Sequence, residues 1–320
     1  MKRRDFIVKT SQSSLALAAL GLYACKQSEK EATVPGLEKV VRDIPLFFNI
    51  SLAQWSLHRA LFAGKMDPLD FAAKSRALGC TGLEYVNGFY KDKSKDKAYL
   101  KEMNSRADGE GQQNLLIMID GEGNLADANT SKRLQAIENH YKWVEAAHFL
   151  SCQAIRVNLA GGVDKTDALK AGVDSLEKLS DFAKNANVNV LVENHGGFSS
   201  NGNWMTDVFS KVKRENCGTL PDFGNFCIQY DKYRRCLESY DRYKGMKQLL
   251  PFAKAVSAKS YEFDAQGNET TIDYGRVMKM VQEVGYTGFV GVEYEGIKVP
   301  EEEGIRLTRD LLIKVGKQLS

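Results

Sequence analysis

Residues 48–55 read Phe48-Asn49-Ile50-Ser51-Leu52-Ala53-Gln54-Trp55, an apolar run that passes into polar residues without a glycine. A doubly wound open sheet wants a glycine-rich phosphate turn after its first strand, because backbone and pyrophosphate approach closely there. This stretch argues against such a sheet. Taking Phe48 to Ala53 as the first strand, seven similar segments follow: Gly82 to Val86, Leu115 to Ile119, Ala154 to Leu159, Asn189 to Glu193, Cys217 to Pro221, Ala255 to Lys259 and Phe289 to Glu293. Segments with helical period separate them: Pro68 to Leu78, Lys97 to Gln112, Ser131 to Phe149, Thr166 to Asn187, Thr206 to Lys213, Tyr233 to Leu250, Ile272 to Val284 and Glu301 to Leu319. In the first of these, Asp67-Pro68 supplies an N-cap followed by proline, and Gly79 follows the last periodic residue. Strict alternation of strand and helix predicts a (β/α)8 TIM barrel, a single domain over residues 45–320.

The 320 residues are 43% hydrophobic and 27% charged, a globular balance that excludes disorder and a disulfide miniprotein. Net charge is +3, but residues 1–24 hold four basic residues and one acid, so the rest carries 40 of each sign. A neutral chain has no bulk electrostatic reason to bind nucleic acid.

Residues 1–24 read as an address rather than structure. Arg3-Arg4-Asp5-Phe6-Ile7-Val8-Lys9 is a twin-arginine pattern, and the apolar stretch Ser14 to Leu22 is too short to cross a ~30 Å hydrocarbon core as a helix. Leu22-Tyr23-Ala24-Cys25 resembles the lipobox of bacterial lipoproteins, which implies a lipid anchor at Cys25; plain signal-peptidase cleavage is the alternative. Residues 25–44 then form a polar tether, and the protein is expected to be exported to the periplasm. Cys80, Cys152, Cys217, Cys227 and Cys236 show no metal-binding spacing and are expected to be small buried hydrophobes.

Chemistry in a barrel sits where strands end. Strand five ends Glu193-Asn194-His195-Gly196-Gly197, strand six Pro221-Asp222-Phe223-Gly224-Asn225, and strand eight Glu293-Tyr294-Glu295-Gly296. Carboxylates converging at one mouth repel unless a cation lies between them, and oxygen ligands suit Mn²⁺ or Mg²⁺. For each acid alone, a capping or salt-bridged loop residue is the competing reading.

These endings, with Ala255-Val256-Ser257-Ala258-Lys259-Ser260-Tyr261 and Gly285-Tyr286-Thr287-Gly288, resemble the xylose isomerase-like TIM barrels, the superfamily of sugar phosphate isomerases and epimerases and of endonuclease IV. The resemblance runs from about Pro45 to the C-terminus. It implies a divalent metal held at the positions of Glu193, Asp222, Ser257 and Glu293. Ser257 stands where the family has histidine, and Asn225 where it tends to have a second one, so this ligand set is poor in nitrogen and unsuited to zinc. Lys259 lies on the same strand face as Ser257 and offers an ammonium within the site, with a plain salt bridge to Glu193 or Glu293 as the alternative.

The function this implies is a metal-dependent sugar isomerase or epimerase. Glu193 and Glu293 move a proton alpha to a carbonyl, while Lys259 or His195 stabilises the oxyanion. Further substrate candidates are Glu84, Asn158, Asn225, Trp55, His58 and Trp204, with Arg156 beside Asn158. Aromatic rings in the loops after strands (Trp55, Phe89, Tyr90, Phe198, Trp204, Phe226) suit the C–H faces of a sugar. Tyr230 to Tyr243, with Lys232, Arg234, Arg235 and Arg242, reads as a solvated helix face or as a lid carrying an anion clamp. His140 and His148 fall on a helix and read as structural. Two other functions fit the same residues: a lyase or hydrolase of an oxidised (keto) glycoside, and a noncatalytic sugar-binding lipoprotein.

Overall fold

The computed structural model describes residues 45–320. The twin-arginine segment, Cys25 and the tether lie outside the described residues. Within them, strands β1 (Asn49–Ala53), β2 (Gly82–Val86), β3 (Gln113–Met118), β4 (Ala154–Val157), β5 (Asn189–Glu193), β6 (Cys217–Leu220), β7 (Val256–Ser260) and β8 (Phe289–Tyr294) pair in parallel. Pairing runs from β6 down to β1 and on through β8 to β7. The circle is completed by isolated bridges, Thr219 with Ala253 and Asp222 with Ser257. Only three backbone hydrogen bonds span this seam, from Lys254 N to Thr219 O, Ser257 N to Pro221 O and Phe223 N to Ser257 O, each 3.0 Å.

Helices α1 (Phe71–Ala77), α2 (Lys97–Gly109), α3 (Thr130–Phe149), α4 (Lys165–Asn185), α5 (Gly202–Lys211), α6 (Arg242–Leu249), α7 (Tyr274–Glu283) and α8 (Glu301–Leu319) follow the strands in turn. Their starts are chemically marked. Asp96, Asn129, Asp164, Asn201, Asp241 and Asp273 each accept a hydrogen bond from a backbone N–H of the first turn, a cap worth ~1 kcal/mol. Asp67 does the same for Leu69 N at the short 3₁₀ turn before α1, and Gly79 takes φ +79° after it, as the Asp-Pro and glycine signals predict. None of the helices among the described residues is long and apolar enough to cross a membrane.

The two-residue period of the strands divides the core. Leu52, Leu83, Ile117, Ile155, Val190, Val192, Val256 and Val292 face outward and pack with the helices. Ala53, Val86, Leu116, Met118, Ala154, Leu191 and Leu220 fill the barrel interior.

Three expectations need correction. The stretch Tyr233 to Leu250 is not one helix: a hairpin (Cys227–Tyr230 against Cys236–Ser239) occupies its first part, and α6 begins only after the Asp241 cap. Cys227 and Cys236 are not small buried hydrophobes but a disulfide across this hairpin, whereas Cys80 and Cys152 are buried thiols and Cys217 is half-buried. The helix expected from Thr206 begins at Gly202, because Asn201 caps it, and this carries Trp204 out of the loop.

Candidate active site

The last inward residues of β4 to β8 meet at the C-terminal mouth. Glu193, Asp222 and Glu293 each place a carboxylate oxygen within 4.8 Å of the others. All three are buried. Asn194 sets the spacing between the first two: its Oδ1 accepts from Asp222 N at 2.8 Å, and its Nδ2 donates to Asp222 O at 3.0 Å. Asp222 Oδ1 accepts from Gly224 N and Asn225 N, each at 2.8 Å, which turns its Oδ2 towards Ser257. Glycine is required at 224, since a Cβ there would lie 2.6 Å from both Lys259 Cγ and the Tyr261 hydroxyl.

Ser257 Oγ sits between two of the acids, 2.7 Å from Asp222 Oδ2 and 2.8 Å from Glu293 Oε2. Lys259 Nζ donates to Glu293 Oε1 at 2.9 Å and to Glu295 Oε2 at 3.0 Å, and stays 4.0 Å from Asp222. On the other wall Arg156 donates to Asp120 at 2.8 Å, and its Nε lies 2.8 Å from Glu193 Oε2 without hydrogen-bond alignment. Glu193 Oε2 thus has no hydrogen-bond donor among the described residues, although Asn225 Nδ2 serves its other oxygen at 3.0 Å.

The mouth gathers five carboxylates (Glu193, Asp222, Glu293, Glu295, Asp120) around two cations, Lys259 and Arg156. Burial, reinforced by neighbouring acids, pushes the Glu193 and Asp222 carboxyls up to about 7. Against the same desolvation, Glu293, Asp222 and Glu295 hold the Lys259 ammonium well above its ordinary value, so it keeps its charge. At the rim, the Arg156 guanidinium overcomes desolvation and holds Asp120 down to about 2. Desolvation by the cleft walls, then the Arg156 charge, lowers the imidazole of His195. Excess negative charge and an all-oxygen donor set together fit a hard divalent cation held by Glu193, Asp222 and Glu293, with the Ser257 hydroxyl beside them.

A cleft of about 470 Å³ opens above, lined by His195, Asn225, Lys259, Tyr261 and Glu295 together with Tyr230 and Arg234 of the hairpin. Asn158 also stands at this end, donating to Asp120 at 2.7 Å. Trp55 donates its indole N–H to Glu295 and forms an aromatic group with Phe62 and Phe89, Phe62 being 67% exposed. His58 stands behind it, stacked on the indole at 4.9 Å with Nδ1 against Trp55 O, so it supports Trp55 rather than facing the acids.

Two substrate candidates lie elsewhere. Trp204 is fully buried in α5 with its Nε1 bonded to Lys165 O, so it is a packing residue. Glu84 sits one layer below the acids, bonded to Ser51 Oγ at 2.5 Å and accommodated by the missing side chain of Gly291. Asp120 and Glu295 went unread in the sequence. Each stands two residues beyond an inward strand residue, Met118 and Glu293, and that period was the signal.

The chain matches the family model described as xylose isomerase-like TIM barrel over residues 72–315. Among solved structures it is similar to D-psicose 3-epimerase with D-tagatose from Clostridium cellulolyticum H10, at 13% identity and TM-score 0.63, covering 78% of this chain and 94% of that one. A xylose isomerase-like TIM barrel protein from Mycobacterium smegmatis in complex with magnesium has 13% identity and TM-score 0.63, covering 86% and 99%. A sugar phosphate isomerase/epimerase from Parabacteroides distasonis ATCC 8503 has 16% identity and TM-score 0.62, covering 88% and 98%. Among curated proteins, none matches the chain.

Proposed function

The chain belongs to the xylose isomerase-like TIM barrel family, and from that premise we propose that it is a metal-dependent sugar isomerase or epimerase acting by proton transfer alpha to a carbonyl. The observation that carries the proposal is the convergence of Glu193, Asp222 and Glu293 within 4.8 Å. Its structural relatives include a D-psicose 3-epimerase and a sugar phosphate isomerase/epimerase, and a third relative is in complex with magnesium, which supports the same reading.

Mn²⁺ or Mg²⁺ held by these acids, with Ser257 beside them, supplies charge neutralisation and polarisation of a sugar carbonyl. Glu193 and Glu293 project from β5 and β8, with β6 and β7 between them, and so approach a sugar from different sides. Glu193 removes the proton from the carbon alpha to the carbonyl and later releases it to solvent, while Glu293, protonated from solvent when substrate binds, delivers its proton to the opposite face and inverts that carbon. Lys259, charged and fixed by Glu293 and Glu295, stabilises the oxyanion of the enediolate. His195 and Asn225 hold hydroxyls in the cleft, where Phe198, Tyr230 and Tyr261 offer aromatic faces to a sugar and Trp55 stands beside Glu295.

The disulfide Cys227–Cys236 supports a periplasmic site of action, since such bonds persist in oxidising compartments. Incubating the mature protein with ketoses in D₂O, with Mn²⁺ or Mg²⁺, tests the reaction. Solvent deuterium should enter the alpha carbon together with the epimer or isomer. Expulsion of an aglycone from a keto glycoside without epimerisation supports the lyase alternative, and sugar binding without any exchange supports a binding protein.

A further inference from the structure

We propose that Arg234, at the tip of the disulfide-clamped hairpin, selects sugars carrying an anionic substituent, a carboxylate or a sulfate ester. The inference rests on the sugar-directed reading of the cleft and names the class of sugar it takes.

Of the four basic residues between Tyr230 and Tyr243, three are engaged away from the cleft. Arg235 pairs with Asp231 at 2.7 Å, Lys232 lies over the Tyr233 ring, and Arg242 donates to Thr271 O at 2.9 Å. Arg234 alone of the four lines the cleft, opposite Lys259 and Glu295. Lys259 is already shared between Glu293 at 2.9 Å and Glu295 at 3.0 Å, while the Arg234 guanidinium has no carboxylate partner among the described residues. Its one side-chain neighbour of note is the Tyr230 ring, 5.5 Å from the guanidinium carbon to the centroid. Tyr230 in turn rests over the strand-five loop, where a Cβ on Gly196 would lie 3.6 Å from its ring. A guanidinium backed by an aromatic face keeps its planar donor edge free for two parallel hydrogen bonds to a carboxylate or sulfate.

The backbone carries the same message. Arg234 adopts φ +65°, a left-handed conformation that favours glycine. The turn is enforced by Asp231, whose Oδ1 accepts from Tyr233 N at 2.8 Å and Arg235 N at 2.9 Å, and by the disulfide behind it. Glycine would relieve the strain, but only by removing the guanidinium from the cleft wall. The Arg234 guanidinium, with no ion-pair partner of its own on the cleft wall, can attract an anion at the far end of the same substrate.

Isothermal titration of the mature protein with matched pairs tests this: D-glucose against D-glucuronate and D-glucose 6-sulfate, and D-galactose against D-galacturonate. D-glucose 6-phosphate is a further arm that separates phosphate from the other anions. At least one acidic sugar should bind about tenfold or more tighter than its neutral partner, with the ratio shrinking as salt rises. In Arg234→Met the ratio should fall towards one, whereas Lys232→Met, which removes the same charge two residues away, should retain it. Ratios near one in the wild type, a preference that survives Arg234→Met, or no binding of any acidic sugar would overturn the proposal. Deuterium exchange into a neutral sugar alongside a ratio near one leaves the isomerase reading intact and removes only the anion site. A strong ratio without exchange into any sugar removes the isomerase reading and leaves Arg234 as a binding determinant.

Discussion

Lys259 Nζ donates to Glu293 Oε1 at 2.9 Å, with only 2% and 5% of the two side chains exposed. A buried pair of this kind punishes removal of either member, because the other loses its closest charge partner, Lys259 keeping only Glu295 and Glu293 only the Ser257 hydroxyl. Glu293→Gln should lower the rate of alpha-proton exchange by ~10²- to 10⁴-fold while sugar affinity changes far less. Lys259→Met should lower turnover too, yet tighten Mn²⁺ binding, since a competing cation leaves the acids. Exchange kinetics in D₂O and metal titration read the two effects; weaker Mn²⁺ binding in Lys259→Met would contradict this assignment.

Metal binding should appear as heat stability. A ligand at a hundredfold excess over its Kd adds ~3 kcal/mol to the folded state, which is several degrees of Tm for a domain of this size. Calorimetry with and without Mn²⁺ should show that gain in the wild type and little of it in Asp222→Asn. An equal gain in both proteins places the cation away from Asp222.

Glu84 gives a pH signature independent of catalysis. Burial, opposed by the Ser51 hydrogen bond, pushes its carboxyl up to about 8, from 4.5 when free in water. Below 4.5 folded and unfolded chains are both protonated, so nothing is lost there. As pH climbs from 4.5 towards 8, the unfolded chain ionises freely and the folded one resists, so stability falls across that window. Glu84→Gln keeps the shape and removes the titration. Its unfolding free energy should therefore exceed that of the wild type near pH 8 by up to roughly 4 kcal/mol, seen as a higher Tm, with the advantage vanishing near pH 4. A pH-independent difference would show that packing, not charge, governs the position.

Export has its own test. Arg3→Lys combined with Arg4→Lys should retain the precursor in the cytoplasm, and Cys25→Ala should release mature protein from the membrane fraction. Fractionation and blotting read both. Unchanged membrane association of the Cys25→Ala protein rules out the lipid anchor.

Glu193, Asp222 and Glu293 were legible because each ends an apolar strand, where a charged residue has no packing reason to be. The same period of two points to Glu295 from Glu293 and to Asp120 from Met118, though an acid in a loop carries no mark of its own. The hairpin was hidden for a different reason. Its tyrosines and arginines repeat at spacings that also suit a helix, and the turn at Asp231 and the Cys227–Cys236 bond are tertiary facts. Trp204 misled because indole suits both a sugar face and a core, and the choice depended on Asn201 starting a helix a few residues early. The contest around Glu193, where Arg156 arrives from the neighbouring strand, rests on register between β4 and β5, which one strand alone does not disclose.

The seam between β6 and β7 is where the ring of strands is thinnest, and the reacting groups stand on both banks of it. Glu193 and Asp222 precede the gap; Ser257, Lys259 and Glu293 follow it. Ser257 Oγ, shared between Asp222 and Glu293, is already a stitch across it. Whatever these groups grip together acts as a clasp on a hoop, so occupancy of the mouth and closure of the hoop become one equilibrium, and an empty mouth leaves the hoop freest to spring open along that line.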